Sequence, residues 1–598
     1  MRPLEYLLIL RNHFSTNQMV ETTRHELAEI LFCTDRNVNF ILKKLEDKKY
    51  VTWISGRGRG VHSKIAFHLP FHEIAERYVN KLVQNEAISD ILSFLENTQL
   101  EDENRTIIFE KLQEALQPKI EVANSGEIKS TVSILLPQTV QTLNPSEVFL
   151  YTEAHLVKQI YNTLVEYNEG THQVEPSLAY AWSEHNNGQE WTFYLRKAVH
   201  FHNGDLLTAK DVKFTFTKMK KLGQETFFHS LLSDLREIEI INDYTVTFHL
   251  NKTNWVFPYL LCSYHCSILS KSTDSMGTNG TGPFMLSDKT EHHIRLQAFD
   301  GYFKERAIID EVDIWMTKKF NNVELNKIQV PEAVTANHRV KNFEFTGSRF
   351  LVFNGSKGGI HHNPYFRKAL VSLYEPKKIV NDLKGNRTLP AYSFVPVNSR
   401  IHPRRNNSIN KAKDFLELSG YRGEPITLYY FDINEGYDSA LWLQEEARKI
   451  GISLSVHPIP DHNPKGRELL TQADIVLLSV ILQEEIGFSL YCLYKSEHGF
   501  LRQFFSKDLK RIIDDILESF VNERELSKRN KLLQKIETYL IESHSLHFLY
   551  HSITRVEFNT FLKDFSLATL NLPDFDKIWI DSEQDKLELC NPKAIPPN

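Results

Sequence analysis

Through the first seventy residues apolar side chains recur at spacings of three and four, the repeat of a helix with one buried face. Leu4, Leu7, Leu8 and Leu10 predict one short helix. Leu27, Ile30 and Leu31 predict a second, with Thr22 or Thr23 placed to cap its free amides. After the tight turn Phe32-Cys33-Thr34, Thr34 caps a third helix over residues 35–47, whose inward stripe is Val38, Ile41, Leu42 and Leu45. Two short helices joined by so few residues make a helix-turn-helix. The pattern then changes: residues 50–54 and 64–69 have strand composition, and Ser55-Gly56-Arg57-Gly58-Arg59-Gly60 lies between them. A hairpin that follows a helix-turn-helix is a wing.

Residues 71–116 are helical again, with Ile74, Tyr78, Leu82, Ile88, Ile91, Leu92 and Leu95 as an interrupted stripe. A charged break at 100–105 precedes Ile107, Ile108, Leu112 and Leu116. Such a stripe packs on its own chain or forms a homodimer seam, and the pattern leaves both open. The polar stretch 119–129 reads as a linker. From residue 130 strands and helices mix: an apolar strand at 130–137, the loop Thr142-Leu143-Asn144-Pro145, a helix at 153–165, and strands at 190–196 and 243–250. Residues 197–216, KAVHFHNGDLLTAKDVKFTF, run as an extended segment, a turn at Asn203-Gly204-Asp205, and a helix begun by Thr208 with Asp211 three residues on.

Length adds domain count: 598 residues exceed what one core holds, so two or three domains are expected. With 24% charged and 41% apolar residues the chain reads as globular, and no apolar run approaches the roughly 18 residues of a membrane span. The run Leu7–Leu10 is too short for a secretory signal, is flanked by Glu5 and Arg11, and lacks a small-residue cleavage site, so a cytoplasmic location is expected. The odd set Cys33, Cys262, Cys266, Cys492 and Cys590 fits a reducing compartment better than a disulfide framework. Charge is uneven. Residues 1–70 carry 11 Lys and Arg against 7 Asp and Glu, while the remainder carries 59 against 69. A basic head on an acidic body implies that the head alone meets a polyanion.

Double-stranded DNA is the polyanion that suits the head. On the third helix Thr34, Arg36, Asn37 and Asn39 lie toward the N-terminal end that a recognition helix presents to base edges, where Arg matches guanine and Asn matches adenine. Lys43 and Lys44 suit phosphates. In the wing, Gly56, Gly58 and Gly60 let the backbone approach a duplex, and Arg57 and Arg59 supply charge to phosphates or a narrow minor groove. The bland alternative is a solvated helix face. No nucleophile elbow or Walker loop occurs, so no catalytic residue is assigned. His200 and His202 alternate on a strand and suit a structural role, and the adjacent pairs His292-His293 and His361-His362 have no Cys or carboxylate at ligand spacing, so no metal and no cofactor is expected.

The stretch KAVHFHNGDLLTAKDVKFTF closely resembles a signature of the family 5 solute-binding proteins. So, in order, do the "LNP" loop, "LVEYN", "LAYAW", Asn279-Gly280-Thr281-Gly282-Pro283-Phe284, the "IDEV" strand at 309–312, the strand and helix at 350–354 and 363–370, and EEARKIGISLSV at 445–456. The resemblance covers about 130–485. It implies a two-lobed receptor with hinge strands near 350–354 and 474–482, and cleft contacts at Thr142, Phe149, Tyr151, Thr281 and Gly282. The family's "DYxDP"-like loop is absent from 478–488; Glu484 or Glu485 is the candidate for the acid that pairs a peptide's amine there, with an exposed helix start as the alternative.

The head matches too, in "LAEIL", "LEDKKYVTW" and "GRGRG", and the whole arrangement resembles the SgrR family of bacterial transcriptional regulators. The fold class expected is multidomain: a winged helix-turn-helix (α+β) at 1–70, a helical bridge at 71–118, a linker at 119–129, and a two-lobed α/β domain of the periplasmic-binding-protein type (type II) at 130–598, its second lobe at about 350–485. What this implies is a cytoplasmic, non-enzymatic regulator that binds an operator and senses a small solute, such as a peptide or sugar derivative, away from any membrane. A solute carrier serving an ABC-type transporter is the alternative.

Overall fold

The computed structural model describes residues 3–15, 18–56, 62–116, 119–122, 128–136, 139–148, 150–221, 231–272, 278–317, 338–344, 346–400, 408–431, 435–459, 469–482, 485–496, 501–559, 562–564 and 572–581. They fall into two compact units. One holds the chain up to Thr139, Ser287–Leu296 and the strand segment that begins at Ile309; the other holds the rest.

In the first unit α1 (Pro3–His13), α2 (Arg24–Ile30) and α3 (Asp35–Asp47) form where the periodicity places them. Thr23 and Glu26 cap α2 reciprocally: Thr23 Oγ1 accepts the Glu26 amide at 3.1 Å, and Glu26 Oε2 accepts the Thr23 amide at 3.4 Å. Val38, Ile41, Leu42 and Leu45 are all buried, as the stripe requires. β2 (Val51–Ile54) and β3 (Ser63–Phe67) pair antiparallel as the wing. A third strand, β1 (Val20–Thr22), adds to the other edge of β3; three residues are too few to carry a period. The wing is fixed at its base, where Glu46 of α3 accepts the Trp53 amide at 2.9 Å and Arg24 of α2 donates to Ser55 Oγ at 3.3 Å.

Residues 71–116 are three helices, α4 (Phe71–Gln84), α5 (Ile88–Asn97) and α6 (Asp102–Ala115). Asn12, near the end of α1, pins the turn between α5 and α6. Its Oδ1 accepts the Glu101 amide at 2.8 Å and Asn104 Nδ2 at 3.1 Å, while its Nδ2 donates to the Gln99 carbonyl at 3.3 Å. The stretch 119–129, expected as a linker, instead carries β4 (Lys119–Val122), antiparallel to β5 (Ile128–Leu136). β4 is the edge of a sheet ordered β12-β13-β14-β5-β4, with β12 at Phe284–Lys289, β13 at His293–Ala298 and β14 at Glu311–Met316. Lys119-Ile120-Glu121-Val122 alternates as a strand does, but four residues are too few to stand out from the polar stretch around them. β14 runs parallel to β5, and Asp310 Oδ2 fixes their start by accepting the Ser130 amide at 2.8 Å and Ser130 Oγ at 2.9 Å.

The second unit opens with α7 (Tyr151–Ile160) and the hairpin of β6 (Val165–Asn168) and β7 (Gln173–Pro176). β8 (Ala179–His185), β9 (Glu190–Leu195), β10 (Leu235–Asn242) and β11 (Thr245–Leu250) form an antiparallel sheet in the order β10-β11-β9-β8. α8 (Ala209–Lys221) begins as the sequence predicts, Asp211 Oδ2 accepting both the amide and the hydroxyl of Thr208 at 2.9 Å. Its Phe216 closes on Phe248, rings 5.1 Å apart.

The remaining strands are β15 (His338–Glu344), β16 (Gly347–Phe353), β17 (Arg387–Pro390), β18 (Ile426–Phe431), β19 (Leu454–Ile459), β20 (Ile475–Ile481) and β21 (Leu546–Asn559). They make a second, mixed sheet in the order β15-β21-β16-β20-β18-β19, with β17 also on β21. Helices Pro364–Leu373, Ile409–Ser419 and Gly436–Arg448 bury Phe366, Leu370, Ala412 and Leu443 in one core with Leu428 and Leu477 of this sheet. Two long C-terminal helices, Lys507–Asn522 and Leu526–Glu542, instead share the core of Phe193, Phe216 and Phe248, together with Phe350 and Phe548. This is a two-lobed α/β body.

Candidate functional site

Two regions answer to the residues that the sequence singles out. The first is the outer face of α3. Thr34 is its N-cap, its hydroxyl accepting the Asn37 amide at 3.4 Å. Arg36, Asn37, Asn39, Lys43 and Lys44 are all exposed on a helix whose other side is sealed. Arg57 and Arg59 lie outside the described residues, beyond a wing base closed by the Gly56 amide donating to Ser63 Oγ at 3.1 Å. Phe40 shares the exposed face, with Lys44 Nζ 4.3 Å from its ring centre.

The second region lies in the two-lobed body. Tyr151 opens α7, and its Oη accepts the amide of Ile481, the last residue of β20, at 3.1 Å. One phenol thereby joins the first lobe to a strand of the second sheet. Thr142 sits nearby on the loop held by Glu153, whose Oε1 accepts the amides of Gln141 at 2.8 Å and Thr142 at 3.2 Å. Phe149 and Glu484 lie outside the described residues.

Thr281 and Gly282 face inward. Thr281 is fully buried and donates to Asn162 Oδ1 at 3.1 Å. A Cβ on Gly282 would lie 2.4 Å from the Gln159 carbonyl oxygen, so this turn is pressed against the backbone at the end of α7. His202 of the signature stretch secures it: the Gly280 amide donates to Nδ1 at 3.4 Å, and Nε2 meets the Gly282 carbonyl at 3.0 Å. Both bonds suit the single tautomer with its proton on Nε2.

Glu485 caps the helix Ile486–Lys495, accepting the Gly487 amide at 3.2 Å and the Phe488 amide. Burial pushes its carboxyl pKa up, against the pull of those amides and of the Arg529 charge. Around it stand residues that sequence reasoning misses. Arg529 is buried, 4.9 Å from the Tyr259 ring centre, and burial pushes the Tyr167 phenol up to about 12, with Glu485 adding to the effect. Positions 167, 259, 485 and 529 share no motif, so only the fold assembles them.

His292 and His293, which sequence spacing leaves without carboxylates, find them in space within the first unit. His292 Nε2 lies 3.7 Å from Glu96 Oε2 of α5, and Thr317 Oγ1 donates to Glu96 Oε1 at 3.2 Å. His293 lies between Asp313, at 2.7 Å, and Asp288, at 3.2 Å. Burial pushes the Asp313 pKa up, but hydrogen bonds from His293 and Arg295 outweigh it and hold it below the ordinary value. Among the described residues no group of three or more His, Cys, Asp or Glu side chains is placed to hold a metal ion, and no helix is long and apolar enough to cross a membrane.

Residues 173–481 match the family described as bacterial extracellular solute-binding proteins, family 5. Residues 2–118 match the family described as the sugar transport-related sRNA regulator N-terminus. The uncharacterized protein YhjP of Bacillus subtilis (strain 168) is 29% identical over 568 residues, which is 94% of this chain and 96% of that protein. The HTH-type transcriptional regulator SgrR of Yersinia enterocolitica is 24% identical over 571 residues, 94% and 95% of the two chains. Among solved structures, the periplasmic binding protein DppA of Helicobacter pylori, in complex with the peptide STSA, superposes with a TM-score of 0.63 at 21% identity, covering 75% of this chain and 98% of DppA.

Proposed function

The chain belongs to family 5 of the bacterial extracellular solute-binding proteins, and we propose that it uses that fold as a transcriptional regulator of the SgrR kind. The winged head grips operator DNA, and the two-lobed body senses a small solute, with peptides and sugar derivatives as the candidate classes. One observation carries the reading: α3 presents Arg36, Asn39, Lys43 and Lys44 to solvent in the same chain as a solute-binding body. Such a protein acts by binding and calls for no catalytic step. Its work is done where the DNA is, in the cytoplasm.

Regulation requires the solute to favour one arrangement of the lobes over another; a difference of about 1.4 kcal/mol changes the affinity for DNA tenfold. Asn12 and Glu96 support a route for that change, since one pins the bridge to α1 and the other ties it to the sheet of β13 and β14. The test is a mobility-shift titration of the full chain against DNA fragments surrounding its own gene, beside melting curves with a panel of peptides and sugar derivatives. Replacing Arg57 and Arg59 by Ala is expected to abolish the shift while leaving solute-induced melting changes intact. Undiminished binding would sink the wing assignment. Absence of any DNA binding, with the protein found outside the membrane on fractionation, would favour a carrier for a transporter.

A further inference from the structure

Phe40 is the anomaly of α3. It is 57% exposed, on a helix whose four other large apolar residues, Val38, Ile41, Leu42 and Leu45, are no more than 2% exposed. The core therefore has no use for it. Its neighbours on the surface are cations: Arg36 one turn before, Lys43 and Lys44 one turn after, and no acid partner is found for any of the three among the described residues. Lys44 Nζ lies 4.3 Å from the ring centre, covering one face and leaving the rest of the ring to a partner.

The spacing says what that partner is. Arg36, Asn39, Phe40 and Lys43 stand at i, i+3, i+4 and i+7, the strip of a recognition helix that lies along the floor of the major groove. A phenyl ring there offers no hydrogen bond. The polar recognition groups of adenine, guanine and cytosine in that groove are donors and acceptors, whereas thymine adds a C5-methyl group, the one alkyl group on its floor. Resting on the reading of the head as DNA-binding, we infer that Phe40 is a specificity-determining residue that reads a thymine through its methyl group. Arg36 and Lys43 bring the ring to the base, because their charges draw the strip toward phosphates and guanine on either side. A second copy of the chain, or another protein, suits this ring less well: a protein surface meeting it would have to neutralise three cations within two helical turns.

The experiment removes the methyl and nothing else. Duplexes enriched by the full chain from a randomised library are resynthesised with each thymine in turn replaced by deoxyuridine, and affinities are measured for the native protein, Phe40→Ala and Phe40→Leu. In the native protein one position, or a symmetric pair, is expected to lose affinity about fourfold, the worth of one methyl group taken from water. Phe40→Ala is expected to bind thymine and deoxyuridine duplexes alike, and Phe40→Leu to keep part of the discrimination. The exposed site makes misfolding of these variants avoidable, and matching melting temperatures verify it. Insensitivity of the native protein at every thymine, or full discrimination retained by Phe40→Ala, overturns the inference while leaving DNA binding standing. Unchanged DNA affinity with a lost dimer in Phe40→Ala overturns it in favour of a second copy. Enrichment of no duplex overturns the DNA-binding reading itself.

Discussion

Glu96 and Thr317 are 221 residues apart in the chain, and Thr317 Oγ1 donates to Glu96 Oε1 at 3.2 Å. The bond fastens the C-terminal end of α5 to the residue just beyond β14. His292, 3.7 Å from the other carboxylate oxygen, adds a second hold from the start of β13. Replacing Glu96 by Ala is expected to cost about 1 kcal/mol and to speed amide exchange in α5 and β14 together, as mass spectrometry of deuterated peptides would show. Exchange that quickens in only one of the two elements would mean that the carboxylate does not join them.

Acid is expected to weaken the second unit. His155 and His265 are buried, and desolvation lowers the pKa of each to about 4. Between that value and the ordinary 6.5 the unfolded chain takes up protons that the folded chain refuses, so stability is full above about pH 6.5 and falls as the pH drops toward 4. Each histidine contributes up to roughly 3 kcal/mol across that window. His155→Phe keeps a ring against Phe575, now 4.9 Å away, and should melt with a smaller loss between pH ~7 and ~5 than the native protein. An identical acid loss would remove His155 from the account.

The Gly280-Thr281-Gly282 turn is expected to tolerate no added side chain at either glycine. A Cβ on Gly280 would fall 1.9 Å from the Ile160 carbonyl oxygen, and one on Gly282 would fall 2.4 Å from that of Gln159. Both obstacles are backbone, so neither can swing aside. Gly280→Ala and Gly282→Ala should each cost about 3 kcal/mol or more in denaturant unfolding, whereas Gly358→Ala, with nothing within 4 Å, should be nearly silent.

Tyr151 is expected to govern how readily the lobes part. Tyr151→Phe removes the oxygen that accepts the Ile481 amide and leaves the ring in place. A bond worth about 1 kcal/mol shifts an opening equilibrium about fivefold. Small-angle scattering of the solute-free protein should report a larger radius of gyration for the variant; an unchanged radius would confine the bond to local packing.

How far the sequence speaks depends on what holds each element. α3 was legible to the residue because burial of Val38, Ile41, Leu42 and Leu45 has a period, and Thr34 marks its start. The start of α8 was legible for the same reason, since Thr208 and Asp211 are near neighbours. β4 was hidden because its alternation, Lys119-Ile120-Glu121-Val122, lasts only four residues inside a polar stretch. Two of the carboxylates of His292 and His293 were hidden by distance: Glu96 and Asp313 come from elements far away in the chain. In the body, the family resemblance pointed to Thr281 and Gly282, and both lie at the junction with α7. Arg529 and Tyr167 carried no signal until folding set them beside Glu485.

The pairing of β4 with β5 changes what it means to separate the two halves of this protein. A gene cut after residue 118 would deliver α1 to α6 without the strands that share their unit, because β14 and the segment Ser287–Leu296 arrive only much later in the chain. The carboxylate of Glu96 would then face water where Thr317 and His292 had been. Cut there, the head and bridge are expected to fold less stably than they do in the whole chain. Exchanging the head for another by a single crossover would have to carry along pieces of the receptor, and a library of such chimaeras should yield folded members only when those later segments travel with it.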